Sequence, residues 1–173
     1  ACAGRTCHAG AYISEVGQPA QRPFLGVVIH RLETCRKPTV AALHGSALGG
    51  GFEIAMGCHC RVAVLNTEVG LPEVSLGIIP GAGGTQRLPR LIGIAAALDV
   101  IIGGRRLNTH SALSLGAIDA VFNTHLPDAA ITFAANLVAS GEGPRRTSDQ
   151  AVSDNDNAIA QARKRYSHRY RGF

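Results

Sequence analysis

Short apolar segments alternate with turns along the chain, and the spacing of their apolar positions switches between helical and strand periods. Residues 24–35 (FLGVVIHRLETC) have helical spacing and follow Pro23, a residue favoured where helices start. This helix should end before Pro38, because the residue preceding a proline is disfavoured in the helical conformation. Further helices are predicted from residue 52 and at residues 94–102, 109–115, 127–140 and 158–171, and buried strands at residues 39–44, 61–65 and 117–122.

Turn and capping residues mark several of the boundaries. Residues 45–51 and 81–84 are glycine-rich and are expected to be turns. Asn108 should cap the helix that follows it, and Gly116 should end that helix. Pro89 is expected to separate two helices, since a proline inside a helix removes a backbone hydrogen bond. The alternation of strands and helices predicts an α/β fold.

The composition is that of a folded protein. Of the 173 residues, 46% are apolar and 17% are charged. This supplies enough apolar side chain for a sizeable core and excludes an intrinsically disordered chain. The length suggests about one domain. No stretch approaches the ~18 apolar residues of a membrane-spanning helix, so no membrane span is expected.

The positive charge is concentrated near the carboxyl terminus. The net charge is +5, and residues 145–173 hold seven Lys or Arg against three Asp. Residues 1–144 hold ten basic and nine acidic groups. A basic helix beside solvent explains this distribution, and no nucleic-acid recognition motif accompanies it. Nucleic acid is therefore not an expected partner.

The cysteines do not form a recognisable framework. Their number, five, is odd and their spacing is irregular, which argues against a disulfide-rich secreted protein. Cys58 and Cys60 flank His59, but no second ligand pair follows at the spacing of a zinc site. We therefore expect buried free cysteines and no metal site.

The candidate chemistry lies in two stretches, HGSALGGGFE at residues 44–53 and GLPEVSLGIIPGAGGTQRL at residues 70–88. Three glycines at 49–51 precede a helix, where bare N–H groups and the helix dipole can bind a carbonyl oxygen. Glu53 and Glu73 are isolated carboxylates in apolar surroundings, which raise carboxyl pKa values and suit general acid–base catalysis. A glutamate in the first turn of a helix also interacts favourably with the helix dipole, so a structural role remains open.

The second glycine-rich turn is not a nucleotide-binding motif. The sequence GAGGTQ begins like a dinucleotide fingerprint, but Gln86 stands where the third glycine belongs. No P-loop lysine follows either glycine run.

Three motifs together resemble the crotonase, or enoyl-CoA hydratase, superfamily: HAGAYI, HGSALGGGFEIAMGCHCRVA and GLPEVSLGIIPGAGGTQRLPRLIG. They occur in the order and spacing of that family and cover residues 1–125. The resemblance implies a crotonase-like (ClpP/crotonase) ββα spiral that lacks its first strands. Residues 126–173 would then form carboxyl-terminal helices and a polar linker. The stretch from Arg145 resembles, more weakly, the connection to a 3-hydroxyacyl-CoA dehydrogenase unit in multifunctional β-oxidation enzymes.

The resemblance also implies roles for individual residues. The family's oxyanion-hole N–H groups fall on Ala11 and Gly50, and its two catalytic glutamates on Glu53 and Glu73. Substrate-binding positions fall on three glycines, Gly10, Gly49 and Gly81.

The implied activity is addition of water to a trans-2-enoyl-CoA, which gives a 3-hydroxyacyl-CoA. Hydration needs no metal or redox cofactor, and coenzyme A is part of the substrate. NAD would serve only the dehydrogenase unit. The implied partners are an acyl-CoA thioester and either two further copies in a homotrimer or a dehydrogenase domain of the same polypeptide. The expected location is cytoplasmic for a bacterial-type protein and peroxisomal for a eukaryotic one.

Two other functions remain open. A 3,2-trans-enoyl-CoA isomerase of the same family would use one glutamate to move the proton. A non-catalytic crotonase module would act only in assembly. Tyr12, which stands where the family usually has Asp, and the missing first strands favour this last alternative.

Overall fold

Two small three-stranded sheets organise residues 23–123, 125–152 and 157–168, the parts of the chain described by a computed structural model. The strands are β1 (Val40–Leu43), β2 (Ser46–Leu48), β3 (Cys60–Val64), β4 (Glu68–Gly70), β5 (Arg106–Asn108) and β6 (Ala120–Phe122). One sheet is parallel, with the order β1-β3-β6. The other has the order β2-β4-β5, in which β2 and β4 are parallel and β5 is antiparallel.

Helices surround these sheets. The α-helices are α1 (Leu25–Glu33), α2 (Gly50–Gly57), α3 (Gly84–Ile92), α4 (Ile94–Ile101), α5 (Thr109–Leu115), α6 (Leu126–Ala139) and α7 (Ala158–Tyr166). Two short 3-10 helices span Pro72–Leu76 and Thr147–Asp149. None of the helices within the described residues is long and apolar enough to cross a membrane.

Successive turns of the chain repeat the sequence strand, strand, helix. β1, β2 and α2 form one turn, and β3, β4 and the 3-10 helix Pro72–Leu76 form the next. Each strand of the first turn pairs in parallel with its counterpart in the second: Val40 lies opposite Cys60, and Ser46 lies opposite Glu68. The turns therefore stack, and the fold is the α/β ββα spiral that the sequence predicts.

The main hydrophobic core lies around α2. Phe52 and Met56 on this helix are fully buried, as are Leu71 before the 3-10 helix and Leu88 on α3. Full burial of a side chain of this size contributes about 1.5–3 kcal/mol. Because α2 is packed on nearly all sides, a polar residue on it lies inside the protein and not at its surface.

The sequence-based helix predictions are largely confirmed. α1, α4, α5 and α6 lie within two residues of the expected bounds. Asn108 caps α5, its side chain accepting a 2.9 Å hydrogen bond from the N–H of Ser111. Gly116 ends α5 in the left-handed conformation, with φ 85°. α7 is mostly exposed, as expected of a basic helix beside solvent.

Two sequence-based predictions were wrong, and two further strands were not predicted. Residues 45–51 are not simply a turn, because β2 lies within them, and neither β4 nor β5 was predicted. Pro89 does not separate two helices: α3 runs through it and ends at Gly93. Leu88 and Ile92, on either side of Pro89, are both buried, and their packing outweighs the single backbone hydrogen bond that the proline removes.

The carboxyl-terminal part of the described chain lies on the core. α6 packs on β1 and β3, and α7 packs on α4, where Asp99 contacts Arg165 and Tyr166. The predicted division into residues 1–125 and 126–173 stays a prediction.

Residues 145–149, which we call the strap, contact the core at three points. Arg145 pairs with Asp119, the Thr147 hydroxyl donates to the Met56 carbonyl at 3.2 Å, and the Ser148 N–H donates to Glu33 at 2.9 Å. Thr147 is 1% exposed.

Candidate active site

Glu53 lies in the interior of the protein near the start of α2. It is 3% exposed, and its N–H donates to the Gly49 carbonyl at 2.9 Å, which closes the first turn of the helix. Because Phe52 and Met56 fill the core around the helix, the Glu53 carboxylate is fixed by its neighbours. A buried carboxylate requires compensating hydrogen bonds.

Two backbone N–H groups supply that compensation. Oε1 of Glu53 accepts hydrogen bonds from the amides of Ala82 and Gly84, each at 2.8 Å. Both donors belong to the glycine-rich turn at residues 81–84, about 30 residues further along the chain. A Cβ atom at position 84 would lie 2.9 Å from Oε1 of Glu53, so only glycine allows this approach.

Glu73 lies on the 3-10 helix Pro72–Leu76, with its side chain half-buried. Among the described residues its buried Oε2 has no hydrogen-bond partner. Burial raises the pKa of Glu73, its own backbone N–H lowers it, and the Glu53 carboxylate raises it further. The two carboxyl groups are therefore close enough to interact.

The predicted glycine positions differ in what they offer. Gly50 is the first residue of α2, where backbone N–H groups have no partner within the helix. Gly49 uses its N–H to bind the Gly70 carbonyl at 2.9 Å, so its amide is engaged in the structure itself. Gly81 is exposed. Gly10 and Ala11 lie outside the described residues. The roles assigned to all five positions stay predictions.

Four residues around Glu53 were not identified from the sequence: Ala82, Gly84, Arg87 and Glu33. Nη2 of Arg87 lies 2.6 Å from Oε2 of Glu33, and Nη1 donates to the Ala82 carbonyl at 3.3 Å. The two adjacent glycines of GAGG, Gly83 and Gly84, indicate that another group lies close to the backbone there, but the sequence does not show which group.

The triplet Cys58, His59 and Cys60 has a structural role. The N–H of Thr39 donates to Nδ1 of His59 at 2.9 Å, so Nε2 carries the proton that is shared with the Glu33 carbonyl at 3.0 Å. Both ring nitrogens are thus occupied. Cys58 and Cys60 are buried and free, as predicted. The described ranges contain no group of three His, Cys, Asp or Glu residues placed to bind a metal.

Two cavities lie elsewhere in the fold. One, of about 270 Å³, is apolar and lies between β1 and α6. The other, of about 220 Å³, lies beside Cys60 and Arg145. Neither is lined by Glu53 or Glu73, so both are separate from the paired glutamates.

The sequence and the fold are similar to those of known proteins. The family model described as Enoyl-CoA hydratase/isomerase matches residues 2–169. The peroxisomal bifunctional enzyme of Danio rerio is 48% identical over 145 residues, which cover 84% of this chain and 20% of that protein. The peroxisomal fatty acid beta-oxidation multifunctional protein AIM1 of Arabidopsis thaliana is 53% identical over 111 residues, which cover 63% of this chain and 15% of that protein.

A solved structure is also similar. The enoyl-CoA hydratase from Bacillus anthracis is 36% identical, with a TM-score of 0.72 over 79% of this chain and 56% of that structure. The chain spans about a fifth or less of the length of the curated relatives named above.

Proposed function

Because the chain belongs to the enoyl-CoA hydratase/isomerase family, we propose that it carries the hydratase site of a multifunctional enzyme of fatty-acid β-oxidation. The site would add water to a trans-2-enoyl-CoA and give a 3-hydroxyacyl-CoA. The observation that carries the proposal is the pair of carboxyl groups: Glu53, held by two backbone amides, and Glu73, whose buried Oε2 has no partner in the described chain.

The two carboxyl groups suit opposite proton transfers. Oε2 of Glu53 takes a proton from water while the water oxygen forms its bond to C3 of the substrate. Glu73, whose pKa is raised by burial, delivers its proton to C2 as the C2–C3 double bond becomes single. One proton is gained and one is lost by the pair, so exchange with solvent restores the starting state.

The thioester oxygen gains negative charge as water adds. The N–H groups of Gly50 and Ala11 would stabilise that charge as an oxyanion hole. Removing one such donor from an enzyme typically costs about 10²–10³ in kcat. The position of Gly50 at the start of an eight-residue helix supports its part of this proposal.

The same proposal covers cofactors, partners and location. Hydration would need no metal or redox cofactor, and NAD would bind only to a dehydrogenase unit elsewhere in a longer polypeptide. The names of the relatives support such a unit and a peroxisomal location. A homotrimer would be the alternative assembly.

To test the proposal, the full-length protein is incubated with crotonyl-CoA and the absorbance of the enoyl thioester is followed over time. Loss of absorbance, with formation of 3-hydroxybutyryl-CoA, is the expected result. Turnover of a 3-enoyl-CoA without hydration would assign the isomerase reaction. If the folded protein catalyses neither reaction, the remaining interpretation is a non-catalytic crotonase module that acts only in assembly.

A further inference from the structure

We propose that Arg87 is a positioning residue for Glu53, acting through the peptide that joins Ala82 to Gly83. This inference rests on the proposed hydratase function. The contacts that carry it join Arg87 to the glycine-rich turn and to Glu33, and they involve no group assigned to the reaction itself.

The turn at residues 81–84 contains three peptide units in a row. The first and third carry the Ala82 and Gly84 amides, which donate to Oε1 of Glu53. The peptide between them carries the Ala82 carbonyl, which accepts from Nη1 of Arg87 at 3.3 Å. Holding the plane of this middle peptide restricts the directions of both donor amides, because each is joined to it through a single Cα atom with one φ and one ψ angle.

Gly83 completes the arrangement. Its φ of 99° lies in the left-handed region, and a Cβ atom there would collide with Nη1 of Arg87. The guanidinium therefore occupies the space that a side chain at position 83 would take. Arg87 thus lies against two adjacent residues of the turn.

A buried carboxylate holds Arg87 in place. Oε2 of Glu33, at the end of α1, lies 2.6 Å from Nη2 of Arg87, and Glu33 is 4% exposed. Oε1 of Glu33 accepts the Ser148 N–H of the strap at 2.9 Å. Both carboxylate oxygens are therefore engaged, and the guanidinium has a fixed anchor. A charge-assisted pair of this kind is stronger and more directional than a neutral hydrogen bond.

The first test is kinetic. Arg87→Met removes the charge and both hydrogen bonds, and Arg90→Met is the matched control one turn along α3, where Arg90 donates to the Gln86 carbonyl. Arg87→Met should lower kcat about 10- to 100-fold and change KM little, since a misplacement of about 1 Å costs on this scale. Arg87→Lys should recover part of the loss, and Arg90→Met should retain the wild-type rate.

The second arm repeats Arg87→Met in a Glu53→Gln background. If Arg87 acts through Glu53, the substitution should lower the remaining rate less than about 3-fold there. The same factor in both backgrounds would assign Arg87 a merely structural role and overturn the proposal. Where Arg87→Met does not fold, the pair Glu33→Gln with Arg87→Met removes both buried charges and serves in its place.

Hydrogen exchange gives a readout that needs no activity. The Ala82 and Gly84 amides, followed in a peptide that spans the turn, should exchange at least about 10-fold faster in Arg87→Met and at the wild-type rate in Arg90→Met. Unchanged exchange in Arg87→Met would overturn the proposal whatever the kinetics. A wild-type protein that hydrates no enoyl-CoA would instead end the proposed function, and the exchange comparison would still decide the role of Arg87.

Discussion

Oε1 of Glu53 and the amide nitrogen of Gly84 lie 2.8 Å apart, and Oε1 is only 2.9 Å from where a Cβ at position 84 would be. Gly84→Ala should therefore displace the Glu53 carboxylate. We expect a loss of about 1–3 kcal/mol of stability from overpacking and a fall in hydration rate of at least about 10-fold. Urea unfolding and crotonyl-CoA kinetics measure the two effects.

Gly26→Ala is the matched control. Gly26 lies in α1, and nothing lies within 4 Å of the position of its missing Cβ. Alanine there should stabilise the protein by up to about 1 kcal/mol, because glycine is the poorer helix former. Equal stability and rate effects at positions 26 and 84 would contradict the crowding argument.

The two glutamates should each be needed for hydration. Glu53→Gln and Glu73→Gln retain size but remove the base and the acid, and each should lower kcat by about 10²–10⁴. KM should change little, because the proposed role of both carboxyl groups is proton transfer and not the binding of coenzyme A. The double variant should lose far less than the product of the single losses, since both groups act in one step. A Glu73→Gln enzyme with most of its hydratase rate would refute the mechanism.

The same Glu73→Gln variant should be more stable than the wild type at neutral pH. Burial raises the pKa of Glu73 in the folded protein above its unfolded value, so the ionised form disfavours folding. This cost is absent below the unfolded pKa of about 4.3 and is fully present above the folded pKa. Thermal unfolding at a series of pH values should show the gain in Tm growing as pH rises from 4, and a constant gain would disprove the assignment.

Asp119 should be more important for stability than its partial exposure suggests. It accepts hydrogen bonds from the backbone and side chain of Arg61, a residue with no exposed surface, and it also pairs with Arg145. Asp119→Ala leaves the Arg61 charge buried and uncompensated and should cost about 3–5 kcal/mol. Arg145→Gln, at a half-exposed side chain, should cost about 1 kcal/mol or less. Similar losses in urea unfolding would show that burial of Arg61 is not the cause.

The Glu33 pair should give the protein a stability term that is lost in acid. Burial acts to raise the pKa of Glu33, but the hydrogen bond and charge of Arg87 and the Ser148 N–H lower it below its ordinary value. A depressed carboxyl pKa stabilises the fold above the unfolded pKa and ceases to do so as pH falls through the folded one. The urea midpoints of wild type and Glu33→Gln should therefore converge as pH falls below about 4.

Glu68→Gln serves as the comparison for that series. Glu68 pairs with Arg106 at 3.6 Å, with both side chains about half-exposed. An exposed pair contributes little, so this variant should follow the wild type closely at every pH. A gap between wild type and Glu33→Gln that stays the same from pH 7 to pH 3 would contradict the prediction.

The sequence was most informative where structure is local. A cap such as Asn108 and the helical period of α4 depend on neighbours within a few residues, and both were predicted correctly. The three-residue strands β2, β4 and β5 are too short to show a period, so they were missed. Pro89 was misread because the burial of Leu88 and Ile92 depends on distant parts of the chain.

The candidate site was likewise predictable where it depends on nearby residues, and not where it depends on residues distant in the sequence. The apolar surroundings of Glu53 and Glu73 are visible in the sequence, and so the pair was found. The amides that hold Glu53 come from residues 29 and 31 positions away, Ala82 and Gly84, and carry no side-chain signature. The strap was predicted as part of a polar linker, because a backbone N–H such as that of Ser148 looks the same in a linker and on a core.

Four residues in and around the turn at residues 81–84 depend on one another: Glu53, Gly83, Gly84 and Arg87. Gly83 is required by the left-handed φ and by Arg87 on one side, and Gly84 is required by Glu53 on the other. A side chain at position 84 would displace the Glu53 carboxylate, and a side chain at position 83 would be strained by φ and would displace the Arg87 guanidinium. A substitution at any one of these four positions should therefore disturb its contacts with the others, so the four are expected to change together and not one at a time.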